Sequence, residues 1–215
     1  MSRTYYQKIQ MAVYNKSENG RRKADPWRIG NKENLRMEKK LHTIGLLNTF
    51  HFTAYLDEVI LKTGRTSRRL KIDHPEAIAI VPFVDSNHII MVRQWRYAVG
   101  QETLEIPAGK VDRGESIEEA IQRELIEETG YKAKVIKPLV SYFPAIAYSN
   151  EIIHIFAATE LRAQESRLDE DEISGVEIVS LEDALKMVKN GTIRDGKTIL
   201  GILFAQDGFN EQQGG

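Results

Sequence analysis

The sequence predicts an α/β (α+β) fold, a mixed β-sheet packed between helices, on three observations. Short apolar runs rich in Val, Ile and Phe recur at strand length along the body of the chain. Only a few stretches carry helical periodicity with marked ends. Two neighbouring strand-like runs are joined by three turn residues, too few for a crossover and enough for a hairpin. Strands interleaved with few helices, with hairpins among them, form sheets covered by helices.

The chain begins differently from the way it continues. Residues 1–40 carry 11 Lys or Arg against 4 Asp or Glu, a balance of +7; the net charge of −1 leaves −8 for the other 175 residues. Residues 1–41 are polar, without periodicity, and broken by Asn19-Gly20 and Pro26. They read as a flexible basic N-terminal extension, a solvated tail rather than an arm for nucleic acid. Residues 42–75 read as an N-terminal β element and 76–210 as the main domain.

Strands are expected at Phe52–Leu61, Arg68–Ile72, Ala77–Val84 and His88–Trp95, the last two as a hairpin across Asp85-Ser86-Asn87. Further strands follow at Lys134–Val140, Ile152–Ala158 and Val176–Val179. One helix is expected after Ser116, a second over Leu181–Lys189 closed by Asn190-Gly191, and a third over Lys197–Gln206.

Composition excludes several function classes. With no cysteine in 215 residues, disulfides, thiolate catalysis and zinc–thiolate sites are out, and a cytoplasmic setting is the expectation. The longest apolar runs, such as Ile78–Val84, fall far short of the roughly 20 residues that span a bilayer. No apolar core follows the early basic residues, so no signal peptide is expected. The five histidines show no metal-ligand spacing, and His154, inside an expected strand, reads as structural.

Chemistry concentrates between Gly109 and Tyr131. Ser116 and Glu119 form an S-x-x-E capping box, and Gly130 suits the left-handed position after a last turn. At about 100° per residue, Ile117, Ile121 and Leu125 fall within roughly 80° and anchor the helix, while Glu124, Glu127 and Glu128 cluster within about 100°. Like charges so placed repel. A hard divalent cation, Mg²⁺ or Mn²⁺, relieves that repulsion with oxygen-only ligands. A solvated acidic face is the other reading of the cluster alone.

The same segment resembles the Nudix box, G-x5-E-x7-R-E-U-x-E-E-x-G-U. Its fixed positions are filled by Gly109, Glu115, Arg123, Glu124, Glu127, Glu128 and Gly130, with Leu125 at the first bulky apolar position and the aromatic Tyr131 at the last. The resemblance implies a Nudix α/β/α sandwich in which Glu124, Glu127, Glu128 and the Ala108 carbonyl hold metal. Arg123 would pair with Glu115 or Glu127. The metal would neutralise phosphate charge and activate water. On this resemblance Glu127, Glu128 and Arg123 are catalytic candidates.

The flanks resemble the ADP-ribose pyrophosphatase branch of that family. Val92-Arg93-Gln94-Trp95-Arg96-Tyr97 and Glu102-Thr103-Leu104-Glu105-Ile106-Pro107-Ala108-Gly109 are similar to its V-R-Q-x-R-Y and E-x-P-A-G-K runs. Phe143-Pro144-Ala145 departs from its S-P-G. The resemblance implies a homodimer formed through the N-terminal strands, with Arg93, Arg96, Glu105 and Arg68 as substrate-binding candidates. It also implies a base from the acidic run Asp169-Glu170-Asp171-Glu172, for which Glu172 is the first candidate. The expected function is metal-dependent hydrolysis of ADP-ribose to AMP and ribose 5-phosphate. The alternatives are another nucleoside diphosphate sugar, such as GDP-mannose, and a non-catalytic ADP-ribose-sensing module. Neither membrane nor nucleic acid is an expected partner.

Overall fold

The computed structural model of the chain describes residues 37–164 and 173–213, with side chains as far as Gln206. Two compact units divide the described residues, with the boundary between Ile72 and Asp73.

The first unit holds a three-stranded sheet in the order β1-β2-β3, formed by β1 (Glu38–Asn48), β2 (Thr53–Leu61) and β3 (Thr66–Asp73). β1 and β2 are antiparallel. Thr49 closes their turn, its hydroxyl donating to the Phe52 carbonyl at 2.8 Å and accepting from the Phe52 amide at 2.9 Å. β1 corrects the sequence reading, since it starts at Glu38, inside the expected extension. Every residue of β1 except Gly45 is exposed, so neither face carries the apolar alternation that announces a half-buried strand. Leu41, Ile44, Leu46 and Leu47 are among the side chains left exposed.

The second unit contains β4 (Ala77–Pro82), β5 (His88–Arg96), β6 (Gln101–Glu105), β7 (Ala108–Lys110), β8 (Tyr131–Tyr142), β9 (Ile153–Ala163) and β10 (Ile173–Ser180). Its helices are α1 (Ile117–Thr129), α2 (Leu181–Lys189) and α3 (Gly196–Gln213). One sheet runs β7-β4-β9-β8 and is mixed, because β4 lies parallel to β9 and the other pairs are antiparallel. The other, β10-β5-β6, is antiparallel.

β4 is buried at all six positions, as expected of a strand covered on both faces. Alternation sends Ala77, Ala79 and Val81 into a core shared with Leu185 of α2 and Ile202 and Ala205 of α3. Ile78 and Ile80 enter a second core with Ala120, Ile121 and Leu125 of α1. The sheet therefore lies between α1 and the α2/α3 pair, an α/β/α sandwich.

The expected β4–β5 hairpin does not form. The turn itself is present: the Val84 amide donates to the His88 carbonyl at 3.0 Å, and the Asp85 carboxylate accepts from the Asn87 and His88 amides. Beyond one isolated bridge between Phe83 and Ile89, the strands part into different sheets. β7 and β9 take both edges of β4, while β10 and β6 take both edges of β5, so no edge of either is left for the other. The short β6 and β7 were not foreseen; Ile106-Pro107 between them carries the chain from one sheet to the other. α3 lies close on this passage, since a Cβ at Gly201 would come within 2.8 Å of Ile106 Cδ1 and 3.1 Å of Val81 Cγ2.

Candidate active site

α1 is fixed at both ends. Ser116 is its N-cap, and the reciprocal capping box is complete: the Glu119 carboxylate accepts from the Ser116 amide at 2.8 Å and the Ser116 hydroxyl from the Glu119 amide at 3.3 Å. Gly130 ends it in the left-handed region at φ 75°, with its amide donating back to the last turn. With Ile121 and Leu125 buried in the second core, the rotation of the helix is set.

That rotation buries two carboxylates. Glu124 and Glu128 are 9% and 5% exposed, so both are taken from water. Glu124 is turned against Gly109, where a Cβ would fall inside its carboxyl group. Glu128 accepts from the Ala108 amide and from Gln94 Nε2, each at 3.0 Å. Burial raises the Glu124 carboxyl against the opposing Arg123, with the charges of Glu127 and Glu115 adding to the rise. Burial pushes Glu128 up to about 8, and the charge of Glu124 adds to it. Glu127 is half-exposed.

Arg123 ties this acidic group together. Its Nε and Nη2 hold the two Glu115 oxygens at 2.9 and 3.0 Å, a bidentate fork. Nη1 reaches Glu124 at 2.6 Å and Glu127 at 3.3 Å, and Nη2 also donates to the Lys110 carbonyl at 2.9 Å. Glu115 accepts in addition from the Asp112 amide at 3.0 Å. Helix, loop and β7 are thereby fastened at one guanidinium.

A second charged group lies next to the first. Glu105, 2% exposed, accepts a fork from Arg96 at 2.8 and 2.6 Å, a bond from the Thr103 hydroxyl at 2.6 Å and one from Lys197 Nζ. Burial works to raise its carboxyl, but Arg96, Lys197 and Thr103 outweigh burial and hold it at about 2. Lys197 also pairs with Asp195 at 2.9 Å. The charges of Lys197 and Arg96 both act on Glu128, which links the two groups.

The structure thus brings Ala108, Arg123, Glu124, Glu127 and Glu128 together, with Arg96 and Glu105 beside them. It does not bring Arg93 there. The β5–β6 register sets Val92 opposite Glu105 and Gln94 opposite Thr103, so Gln94, Arg96 and Glu105 share one face. Arg93 takes the other face and pairs with Glu177, with Glu102 at 3.7 Å. Arg68 is exposed on β3 in the first unit, and Glu172 lies outside the described residues. Among the described residues no three acidic or histidine side chains converge in metal-ligand geometry, each carboxylate being turned to the partners named above. The donors are nevertheless all oxygen, and burial together with mutual repulsion raises Glu124 and Glu128. A hard divalent cation fits such a set.

Residues 73–200 match the NUDIX domain family. The chain belongs to the Nudix family. It is 41% identical to the ADP-ribose pyrophosphatase of Bacillus subtilis (strain 168) over 154 residues, 71% of this chain and 83% of that one. It is 34% identical over 171 residues to a methanol dehydrogenase activator of Bacillus methanolicus, 79% of this chain and 92% of that one. The crystal structure of an ADP compounds hydrolase shares the fold, with a TM-score of 0.72 over 84% of this chain and 98% of that one, at 23% identity. Nudix hydrolases generally depend on a divalent cation, in keeping with the donor set. Among the described residues no helix is long and apolar enough to cross a membrane.

Three side chains of this Nudix site escaped the sequence reading. Gln94 was within reach of it, since it shares the parity of Arg96 along β5. Asp195 and Lys197 stand at the start of α3, where D-x-x-T signals only a helix cap, and nothing local shows that Lys197 reaches Glu105.

Proposed function

We propose that this Nudix chain hydrolyses the pyrophosphate bond of ADP-ribose to AMP and ribose 5-phosphate, with Mg²⁺ as the cation and Mn²⁺ as a substitute. The observation that carries this reading is the pair of buried carboxylates, Glu124 and Glu128, one turn apart on α1, with the Arg123 guanidinium hydrogen-bonded to Glu124 and, among the described residues, no guanidinium hydrogen-bonded to Glu128. Two such groups in a dry site are costly without a cation. The resemblance to an ADP-ribose pyrophosphatase at 41% identity supports the substrate. The complete carboxylate set speaks for catalysis over sensing.

In this reading Glu124, Glu127, Glu128 and the Ala108 carbonyl hold the cation, and Arg123 keeps the glutamates in place. The bound cation would neutralise phosphate charge, polarise phosphorus and lower the pKa of water. Arg96 and Glu105 face the substrate from β5 and β6, and Arg68, on β3, is the candidate by which the dimer element reaches the substrate of a partner subunit. Arg93, held by Glu177 on the opposite face, has no role in it. Glu172 is the general base. The chain works as a cytoplasmic homodimer joined through residues 42–75, a reading supported by the exposed Ile44, Leu46 and Leu47.

The test is product identification. The purified chain is incubated with Mg²⁺ in ¹⁸O-labelled water and offered ADP-ribose, GDP-mannose, diadenosine polyphosphates and capped RNA. ADP-ribose is expected to turn over fastest, giving AMP and ribose 5-phosphate with label in one of them. Faster cleavage of GDP-mannose, or no cleavage of any compound, contradicts the reading. Glu172→Gln is expected to lower kcat by about 10²–10⁴-fold, and a smaller loss removes Glu172 from the mechanism.

A further inference from the structure

The passage from β6 to β7 delivers Glu105 at one end and Ala108 at the other, and three of its backbone polar groups have partners elsewhere in the fold. Ile106 is fully buried, and its amide has no place in the β6 ladder, which ends at Glu105. Pro107 has no amide, and its carbonyl accepts from the Ile80 amide at 2.8 Å. The Ala108 amide donates to Glu128. The partner of the Ile106 amide comes from 92 residues away: the Thr198 hydroxyl accepts from it at 3.0 Å.

Thr198 is itself held. It is wholly buried in the first turn of α3. Its hydroxyl donates to Asp195 Oδ2 at 2.6 Å, and its amide donates to the same oxygen at 3.0 Å. Donating to Asp195 orients the hydroxyl so that a lone pair faces Ile106, which neither a methyl group nor a freely rotating hydroxyl would supply. An ordinary cap needs only the carboxylate and the amide. The hydroxyl, the full burial and the bond to a distant connection go beyond capping.

We infer that Thr198, oriented by Asp195, is a positioning residue for the cation site: it fixes the Ile106 amide, and through Ile106-Pro107-Ala108 it sets where the Ala108 amide meets Glu128. Thr198 is hydrogen-bonded to none of the Glu124, Glu127 and Glu128 carboxylates and acts through two backbone steps. The inference rests on the functional reading above, because it concerns the cation that reading requires.

The test measures Mn²⁺ binding to the full chain by electron paramagnetic resonance, without substrate, beside the Mg²⁺ dependence of ADP-ribose turnover. Thr198→Val, nearly the same shape without the hydroxyl, is expected to weaken Mn²⁺ binding about tenfold or more, the range seen when groups behind metal ligands are removed. The Mg²⁺ concentration for half-maximal rate should rise in step, while the KM for ADP-ribose at saturating Mg²⁺ stays put. Thr198→Ser, which keeps the hydroxyl, is expected to restore wild-type binding. Folded Thr198→Val with wild-type Mn²⁺ affinity overturns the inference while leaving the functional reading intact. If Thr198→Val does not fold, Thr198→Ala is read in the same way, with unchanged affinity again overturning it. A wild-type chain that neither binds Mn²⁺ nor cleaves ADP-ribose overturns both.

Discussion

The Glu124 carboxylate fills the space that a side chain at Gly109 would need. The first glycine of the box is thus there for the close approach of a buried acid to the β7 backbone. Gly109→Ala must drive Glu124 out of place, and a displacement of about 1 Å at a catalytic centre costs about 10²-fold. The expected result is a kcat lowered about 100-fold with the Mg²⁺ requirement raised, read from steady-state rates across a Mg²⁺ titration. A Gly109→Ala protein within threefold of wild type would show that Glu124 does not need this position.

Arg123 holds three carboxylates and a carbonyl at once. A lysine there keeps the charge but loses the planar fork. Arg123→Lys is expected to lower kcat about 10- to 100-fold, the scale for groups that hold metal ligands, with near-wild-type stability. Kinetics and thermal unfolding of the same preparation separate the two. Full activity in Arg123→Lys would reduce Arg123 to a charge.

Glu128 makes stability depend on pH in the metal-free protein. Its carboxyl is raised to about 8 from 4.5, so the folded state prefers it protonated. The stability this contributes is complete below about 4.5 and is lost as pH rises through 8, on the order of a few kcal/mol over the span. Glu105, held at about 2, has the opposite sign: its contribution is present above about 4.5 and falls away only as pH drops through 2, outside that window. Denaturant unfolding in EDTA between pH 5 and 9 should show wild type losing stability relative to Glu128→Gln, and Mg²⁺ should restore it at the alkaline end. Parallel curves for the two proteins would contradict the assignment.

Gly201 tests the packing apart from the chemistry. A methyl group there would press within 2.8 Å of Ile106 and 3.1 Å of Val81. Gly201→Ala also gains helix propensity of about 1 kcal/mol, which overpacking of about 1–3 kcal/mol offsets or exceeds. Urea denaturation is expected to show a net loss of stability, and a net gain would mean that α3 lies further from the sheet.

Much of this was legible beforehand, for reasons that differ between residues. Helical angles alone put Glu124 and Glu128 on the side of Ile117, Ile121 and Leu125, and those two acids are the buried ones. The caps of α1 and α2 follow from local hydrogen bonds and were found at Ser116, Gly130 and Asn190. The β4–β5 hairpin failed because turn chemistry reports on Asp85–Asn87, whereas the partners of a strand are decided by competition among distant edges. β1 was unreadable because its apolar residues are not set inward. Arg93 and Arg96 were not told apart because the sequence offers both faces of β5, and only the register with β6 and β10 sets Arg93 on the face opposite Arg96. The bond from Ile106 to Thr198 spans 92 residues, and no local pattern records it.

Cation binding at the acidic edge of α1 is the step on which the proposed activity depends. Crystals grown with Mn²⁺ and examined by anomalous diffraction test it most directly. An anomalous peak is expected at the carboxylate oxygens of Glu124, Glu127 and Glu128 and the Ala108 carbonyl, abolished in Glu124→Gln/Glu128→Gln. Full Mn²⁺ in the crystal and no peak at those oxygens, in protein that still cleaves ADP-ribose, would contradict it.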